Sequence, residues 1–282
     1  MNSIAARPLI QVAELALALS RAAPVVVDCR FDLTAPEAGQ VAYLEAHVPG
    51  ARYAHLDRDL SGPPATDNGR HPLPTPESLG TLFGALGIDA TTPVVAYDDS
   101  GGMVAARLWW MLRYMGHLAV AVLDGGWQAW VNAGGAVASG EERGPPRHFS
   151  GAPRRDRLVT LDEVSAVAQL IDARAAPRYR GEHEPLDKHA GHIPGARNHC
   201  WQDNLGPDGR FAAPAVLHQR WRDSLGILPS GATVHYCGSG VSACHNVLAQ
   251  VAAGLPEPRL YCGSWSEWCR DSGRPRAIGG ES

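Results

Sequence analysis

The second half of the chain reads LIDAR at Leu170–Arg174, HIPGAR at His192–Arg197, TVHYCGSG at Thr233–Gly240 and LYCGSWSEW at Leu260–Trp268. The first half carries the same four pieces in the same order. They are VVVDCR at Val25–Arg30, HVPGAR at His47–Arg52, VVAYDDSGG at Val94–Gly102 and LDGGWQAW at Leu123–Trp130. Matched positions lie about 140 residues apart with a small drift, which means two homologous domains with unequal loops, since solenoid repeats run at a few tens of residues. Short β-branched runs at Val25–Val27, Val94–Ala96 and Val120–Leu123 read as buried strands. Helical stretches near Glu14–Ser20, Pro76–Leu86, Val104–Met115 and Trp127–Ala133 alternate with them. The second half answers with helices near Thr160–Gln169, Pro214–Leu225, Ser242–Ala253 and Ser264–Asp271. Such alternation predicts an α/β fold in which each domain is a parallel sheet with helices on both faces. Ligands of such sheets bind beyond the carboxyl ends of the strands.

The boundary falls in SGEERGPPRHFSGAPRRDR, Ser139–Arg157, where Gly, Pro and charge dominate and no apolar period persists. The expected division is an N-terminal domain over 1–140, a linker over 141–157 and a C-terminal domain over 158–282. That composition suits an exposed linker, with an ordered strap as the alternative.

Bulk properties narrow the function classes. The 282 residues carry a formal net charge of −4, too small and of the wrong sign for a general nucleic-acid binder. No run is apolar enough to span a membrane. Leu15–Leu19 is apolar but lies between Glu14 and Arg21, which reads as a short amphipathic helix and not as a secretory segment. A cytoplasmic location is the expectation. The six cysteines show no C-x-x-C spacing, so neither a metal site nor an organic cofactor is implied by any motif.

Cys237 follows a strand-like run and precedes Gly238, Ser239, Gly240, Val241 and Ser242, after which a helix begins. Two glycines let the loop curl and turn several backbone N–H groups inward. The helix adds its positive N-terminal end. A thiolate is favoured in such a cradle, and thiolate is the nucleophilic form. The amides of Gly238, Gly240, Val241 and Ser242 are the candidate substrate-binding groups, able to hold the charge of a terminal persulfide sulfur. Asp98 stands at the matching point of the first half, and a carboxylate cannot do this chemistry. Only the second domain is expected to be catalytic.

The duplicated D-x-R, the H-[VI]-P-G-A pieces, the loop CGSGVSA and the segment GSWSEW resemble those of tandem-domain rhodaneses, over nearly the whole chain. The loop is most similar to that of the 3-mercaptopyruvate sulfurtransferase type. Thiosulfate-specific members tend to carry cations just after the cysteine, where this chain has neutral Gly238 and Ser239. The resemblance implies a sulfur donor that loads Cys237 as a persulfide, and cyanide, a thiol or a thioredoxin-like protein as acceptor. It implies Arg178 as the partner of the substrate carboxylate, with a surface arginine paired to Glu182 or Glu184 as the plain reading. Arg180 is expected beside it on the same side of an extended chain. A second carboxylate arginine is expected after Glu184–Pro185, where Leu186 stands instead, leaving Arg180 or Lys188 to compensate. The resemblance also implies a relay of Asp57, His71 and Ser239. An exposed loop histidine is the alternative for His71, and Asp59 competes with Asp57.

The repeated His47 and His192, the pairs Asp28/Arg30 and Asp172/Arg174, and the tryptophans at Trp127, Trp130, Trp265 and Trp268 recur in the half lacking the cysteine. They are therefore read as structural, with the Asp–Arg pairs salt-bridged. Cys262 stands where the family usually has Asp, as Asp124 does in the first half. Cys244 reads as a buried helical cysteine before a resolving thiol. The leading expectation is a ping-pong sulfurtransferase, monomeric or a weak dimer. Thiosulfate:cyanide transfer and a carrier or scaffold without turnover are the alternatives. A cysteine phosphatase would need C-x₅-R, and that position is Ala243.

Overall fold

A computed structural model describes residues 7–21, 24–225 and 232–280. The chain forms two compact units. The first comprises Met1–Gly62, Pro74–Arg154 and Pro207–Phe211, and the second Pro63–Leu73, Arg155–Gly206 and Ala212–Ser282. The short segment Pro63–Leu73, which carries His71, thus packs with the second unit.

The first unit runs β1 (Leu9–Ile10), α1 (Val12–Leu19), β2 (Val25–Asp28), α2 (Ala38–Glu45), β3 (Arg52–Tyr53), α3 (Pro76–Ala85), β4 (Val94–Tyr97), α4 (Ala105–Tyr114), β5 (Val120–Leu123) and α5 (Gly126–Asn132). Its strands pair in parallel in the order β1-β5-β4-β2-β3. Side chains alternate across the sheet. Val26, Val95, Ala121 and Leu123 pack with Leu15 of α1 and Trp130 of α5, while α4 packs against β4 and β5. Both faces are covered, as the uninterrupted β-branched runs require.

The second unit runs β6 (Gln169–Asp172), α6 (Ala176–Tyr179), β7 (Ala196–Asn198), α7 (Pro214–Leu225), β8 (Thr233–Tyr236), α8 (Ser242–Ala252), β9 (Arg259–Leu260) and α9 (Ser264–Trp268). Its parallel sheet has the order β7-β6-β8-β9. Leu170, Val234 and Tyr236 meet Tyr179, Trp265 and Trp268 on one face, and α7 and α8 lie together against the other. His235 of β8 is fully buried beside Gln250 of α8, and burial pushes its pKa down to about 3, so the ring is neutral.

Three expectations need correction. The helix expected over Thr160–Gln169 shrinks to a 3-10 turn at Val164–Ala166, because Gln169 already opens β6. Arg178 and Arg180 do not lie on an extended chain. Pro177 lies in the first turn of the short helix α6, and Arg180 caps it. Two residues along a helix point to nearly opposite sides. Finally, Glu142–Arg154 is an ordered strap on the first unit. Glu142 N–H donates to Tyr43 Oη (2.9 Å), Arg147 N–H to the Gly84 carbonyl (2.9 Å) and Arg154 N–H to the Tyr114 carbonyl (2.7 Å). Phe149 packs edge-on against Phe83 at 5.0 Å.

The repeated residues build the same brace twice. Arg30 donates to Asp28 (2.7 Å) and to the Ala46 carbonyl (2.6 Å), and lies 4.6 Å over Trp127. Arg174 donates to Asp172 (2.6 Å) and the Gly191 carbonyl (2.7 Å), and lies 4.9 Å over Trp265. Tyr97 Oη donates to Asp28, and Tyr236 Oη accepts from Ile193 N–H as Tyr97 Oη does from Val48 N–H. His47 and His192 each place Nδ1 on a carbonyl, that of Tyr43 at 2.7 Å and of Tyr179 at 2.8 Å. Replacing Arg174 with Leu strands Asp172 in the interior, while Glu184 keeps its pairing with Arg178. Removing one partner of a buried pair costs about 3–5 kcal/mol. The R174L variant is expected to show that loss as a lowered urea midpoint; an unchanged midpoint would refute the bracing role.

Candidate functional site: the cysteine loop

β8 ends at Tyr236, and the chain turns through Cys237–Val241 into α8. Gly240 takes a positive φ of 80°, which turns its N–H back toward the cysteine. That N–H lies 3.1 Å from Cys237 Sγ. Two straps hold the loop from the α9 side. Trp265 N–H donates to the Cys237 carbonyl (3.0 Å), and Ser266 N–H to the Gly238 carbonyl (2.8 Å). The Cys237 N–H donates to Ser264 Oγ (3.1 Å), which itself donates to the Tyr261 carbonyl (3.0 Å).

The first unit shows what such a loop can hold. Asp98 is buried, and its carboxylate accepts four backbone N–H groups: Ser100 (2.9 Å), Gly102 (2.8 Å), Val104 (2.8 Å) and Ala105 (2.9 Å). Trp127 N–H donates to the Asp98 carbonyl (2.8 Å), as Trp265 does to that of Cys237. A strand-end loop running into a helix therefore gathers four N–H donors on one carboxyl group in this fold; burial raises the Asp98 pKa, and the four donors pull the other way in favour of the anion. The loop Asp98–Val104 is two residues longer than Cys237–Val241, so the cradles are related but not superposable.

Ser264 was missed by sequence reasoning. It is fully buried and has φ of +57°, alone among the described non-glycine residues in being positive. Its counterpart Gly126 has φ of +54°, and a Cβ there would lie 2.1 Å from the Asp98 carbonyl oxygen. The second unit thus keeps a side chain in a conformation that favours glycine. Strain of this kind costs about 1–3 kcal/mol and persists where the surroundings demand it. The demand here is a partner for the buried Cys237 N–H. The repeat itself held the signal: GSW stands where the first half has GGW.

Among the sequence-nominated residues, Cys237, Ser239 and His71 come together. His71 is buried, contrary to its alternative as an exposed loop histidine, and its Nδ1 lies 2.7 Å from Ser239 Oγ. Asp57 belongs to the first unit, where its N–H donates to His55 Nδ1 (3.1 Å). Asp59 accepts from His55 N–H (2.7 Å), a loop-closing role. Arg178 faces the loop, since a Cβ built on Gly238 would lie 3.4 Å from its Nη2. It also pairs with Glu184 (2.6 Å), so the plain surface pairing and the loop-facing placement are both present. The ion pairs with Arg178 and Arg174 outweigh burial and hold the Glu184 carboxyl below the usual range. Arg180 turns away and pairs with Glu182 (2.6 Å) in solvent, and Leu186 and Lys188 are exposed. Arg180 does not join the cluster. A cation that the sequence gave no reason to place does join it. The Arg70 Nη2 would lie 2.9 Å from a Cβ on Gly238. Gly238 and Ser239 themselves are neutral, and two guanidinium groups, the expected Arg178 and the unexpected Arg70, reach the loop from other segments. Cys244 donates its thiol to the Gly240 carbonyl (3.2 Å), as a buried helical cysteine.

The sequence matches the rhodanese-like domain twice, over residues 11–133 and 158–271. The chain belongs to the rhodanese family. A Pseudomonas aeruginosa rhodanese relative described as "Probable 3-mercaptopyruvate sulfurtransferase" is 48% identical over 280 residues, 96% of this chain and 98% of its own. The thiosulfate sulfurtransferase of Rattus norvegicus is 37% identical over 81% of this chain and 79% of its own. Among solved rhodanese structures, the 3-mercaptopyruvate sulfurtransferase of Leishmania major aligns with a TM-score of 0.84 at 33% identity, covering 93% of this chain and 74% of that one. SseA of Escherichia coli, one of the 3-mercaptopyruvate sulfotransferases, aligns with a TM-score of 0.80 at 29% identity, covering 93% of this chain and 100% of that one.

Ser264 gives a direct test of the rhodanese loop's anchoring. Ser264→Ala keeps the strained backbone and orphans the Cys237 N–H, a loss of about 1–3 kcal/mol. Ser264→Gly orphans the same donor but relieves the backbone, so it should be the milder change by urea denaturation. A negligible loss in Ser264→Ala would show that the hydroxyl does not anchor the loop, and the reverse order of the two variants that the left-handed backbone stores no strain.

Proposed function

We propose that the protein is a sulfurtransferase that takes sulfur from 3-mercaptopyruvate onto Cys237 and passes it to a thiol or cyanide. The observation that carries this reading is the Gly240 N–H at 3.1 Å from Cys237 Sγ, in a loop whose first-unit counterpart cradles a carboxylate with four amides. The relatives' activities support the donor. The Cys237 thiolate attacks the thiol sulfur of 3-mercaptopyruvate. The S–S bond forms as the C–S bond breaks, and the electron pair leaves on the enolate of pyruvate. The thiol proton must end on the carbon that lost sulfur. Ser239 and His71 are placed to carry it, since Ser239 can donate to a bare His71 Nδ1 and receive in turn. The loop amides then hold the outer persulfide sulfur. An acceptor thiolate or cyanide attacks that sulfur, and the S–S bond breaks to return the Cys237 thiolate.

Thiosulfate is the second donor, favoured by the two guanidinium groups at Gly238. Its leaving group, sulfite, needs no proton on carbon. The two donors therefore respond differently to the dyad. Ser239→Ala is expected to lower kcat with 3-mercaptopyruvate about 100-fold, the size of a general acid–base contribution. Turnover with thiosulfate should stay within a few-fold. Equal losses with both donors would mean that Ser239 shapes the loop and moves no proton. Cys237→Ser should abolish transfer with either donor, and mass spectrometry of the donor-treated protein should lose the added sulfur atom. Retained transfer in that variant would remove the proposal. Side-by-side kcat/KM values should favour 3-mercaptopyruvate.

A further inference from the structure

We infer that Arg70 is the second arm of a carboxylate clamp, closing with Arg178 over Gly238 on the 2-oxo acid donor. The inference rests on the reading of Cys237 as the sulfur acceptor and adds a specificity-determining residue to it. Three observations carry it.

The first is convergence. A Cβ built on Gly238, the residue after Cys237, would lie 2.9 Å from Arg70 Nη2 and 3.4 and 3.5 Å from Arg178 Nη2 and Nη1. Asp187 pairs with both guanidinium groups and offsets part of their mutual repulsion, and a second anion on the Gly238 side would offset more. Gly238 leaves that point open, because any side chain there would fill it. The second is the state of the donors. Asp187 pairs with Arg70 through Nη1 and lies 3.4 Å from Arg178 Nη2, while Glu184 takes Arg178 Nε and Nη2. The carboxylates therefore hold only part of each fork. Arg70 Nε is buried and has no hydrogen-bond partner among the described residues. A buried donor left unpaired is costly, and a bound carboxylate would supply its acceptor.

The third is preorganisation. Arg70 N–H donates to Ser266 Oγ (3.0 Å), and the N–H of the same Ser266 holds the Gly238 carbonyl (2.8 Å). At Gly69 a Cβ would lie 2.6 Å from the Gly263 carbonyl oxygen, so this backbone sits flush against the strap that carries the loop. Arg70 is thus tied to the loop it faces. Its neighbour His71 reaches Ser239 from the same dipeptide. One segment then presents a group for the donor's carboxylate and a group for its proton. This replaces the arginine expected at Leu186, which is exposed.

The test separates charge recognition from sulfur transfer. Iodoacetate and iodoacetamide alkylate the same thiol and differ in the carboxylate. Second-order rates at Cys237, read by peptide mass spectrometry, give an iodoacetate-to-iodoacetamide ratio. In R70Q that ratio should fall about tenfold, the scale of one hydrogen bond to a charge, with the iodoacetamide rate little changed. R70K should fall between. A merely structural role, shielding Asp187, would be cancelled by D187N. The R70Q/D187N protein should therefore still show a ratio about tenfold below that of D187N. An unchanged ratio in R70Q, or equality of R70Q/D187N with D187N, would overturn the inference. If the ratios behave as expected while the wild-type protein fails to turn over 3-mercaptopyruvate, the clamp stands and the donor assignment falls.

Discussion

The buried pair of Arg174 with Asp172 organises the second unit's chemistry without touching it. Asp172 ends β6, and the Arg174 guanidinium spreads from it to Glu184, to the Gly191 carbonyl and across Trp265. Two of those contacts lead toward the cysteine loop. Glu184 orients Arg178, and Trp265 grips the Cys237 carbonyl. A charge buried this deeply needs several partners at once, which explains why four segments converge on it. The same brace around Arg30 and Trp127 in the first unit shows that the arrangement belongs to the fold. The second unit adds ionisable groups, Glu184 and Arg178, to the outer side of it.

How much of this was legible in the sequence follows from how each contact is made. The strand–Cys–Gly-x-Gly–helix order is local, so Cys237 and its cradle could be read directly, and the repeat supplied Asp98 as a control. Ser239 and His71 were reached only through a resemblance, yet lie 2.7 Å apart. The pair Asp28/Arg30 and its copy were recognised as structural because both halves keep them. Arg70 was not recognised. Its position depends on residues 69–71 docking on 263–266, far along the chain, and no period encodes such a contact. Arg180 was misplaced for a local reason. RAAPRYR was read as extended, whereas Pro177 at the start of α6 favours a helical turn. The Thr160–Gln169 stretch had helical spacing, but pairing of Gln169–Asp172 with β7 and β8 took its end into the sheet.

Ser264 illustrates a compromise that neither stability nor chemistry alone would select. The first unit solves the same turn with Gly126, at no steric expense. The second accepts a left-handed serine because the Cys237 amide is otherwise shut away from water. Rules of local preference fail at such positions because a nonlocal demand overrides them.

Asp98 makes the first loop a permanently plugged socket. Its carboxylate occupies the donors that a transient sulfur anion would need, and it can never dissociate, being tethered by its own backbone. A thiol introduced there would be shorter than the group it replaced and would enter a ring of amides spaced for two oxygens in a longer turn. Fitting a sulfur into that socket would therefore take a shortened turn as well as a thiol.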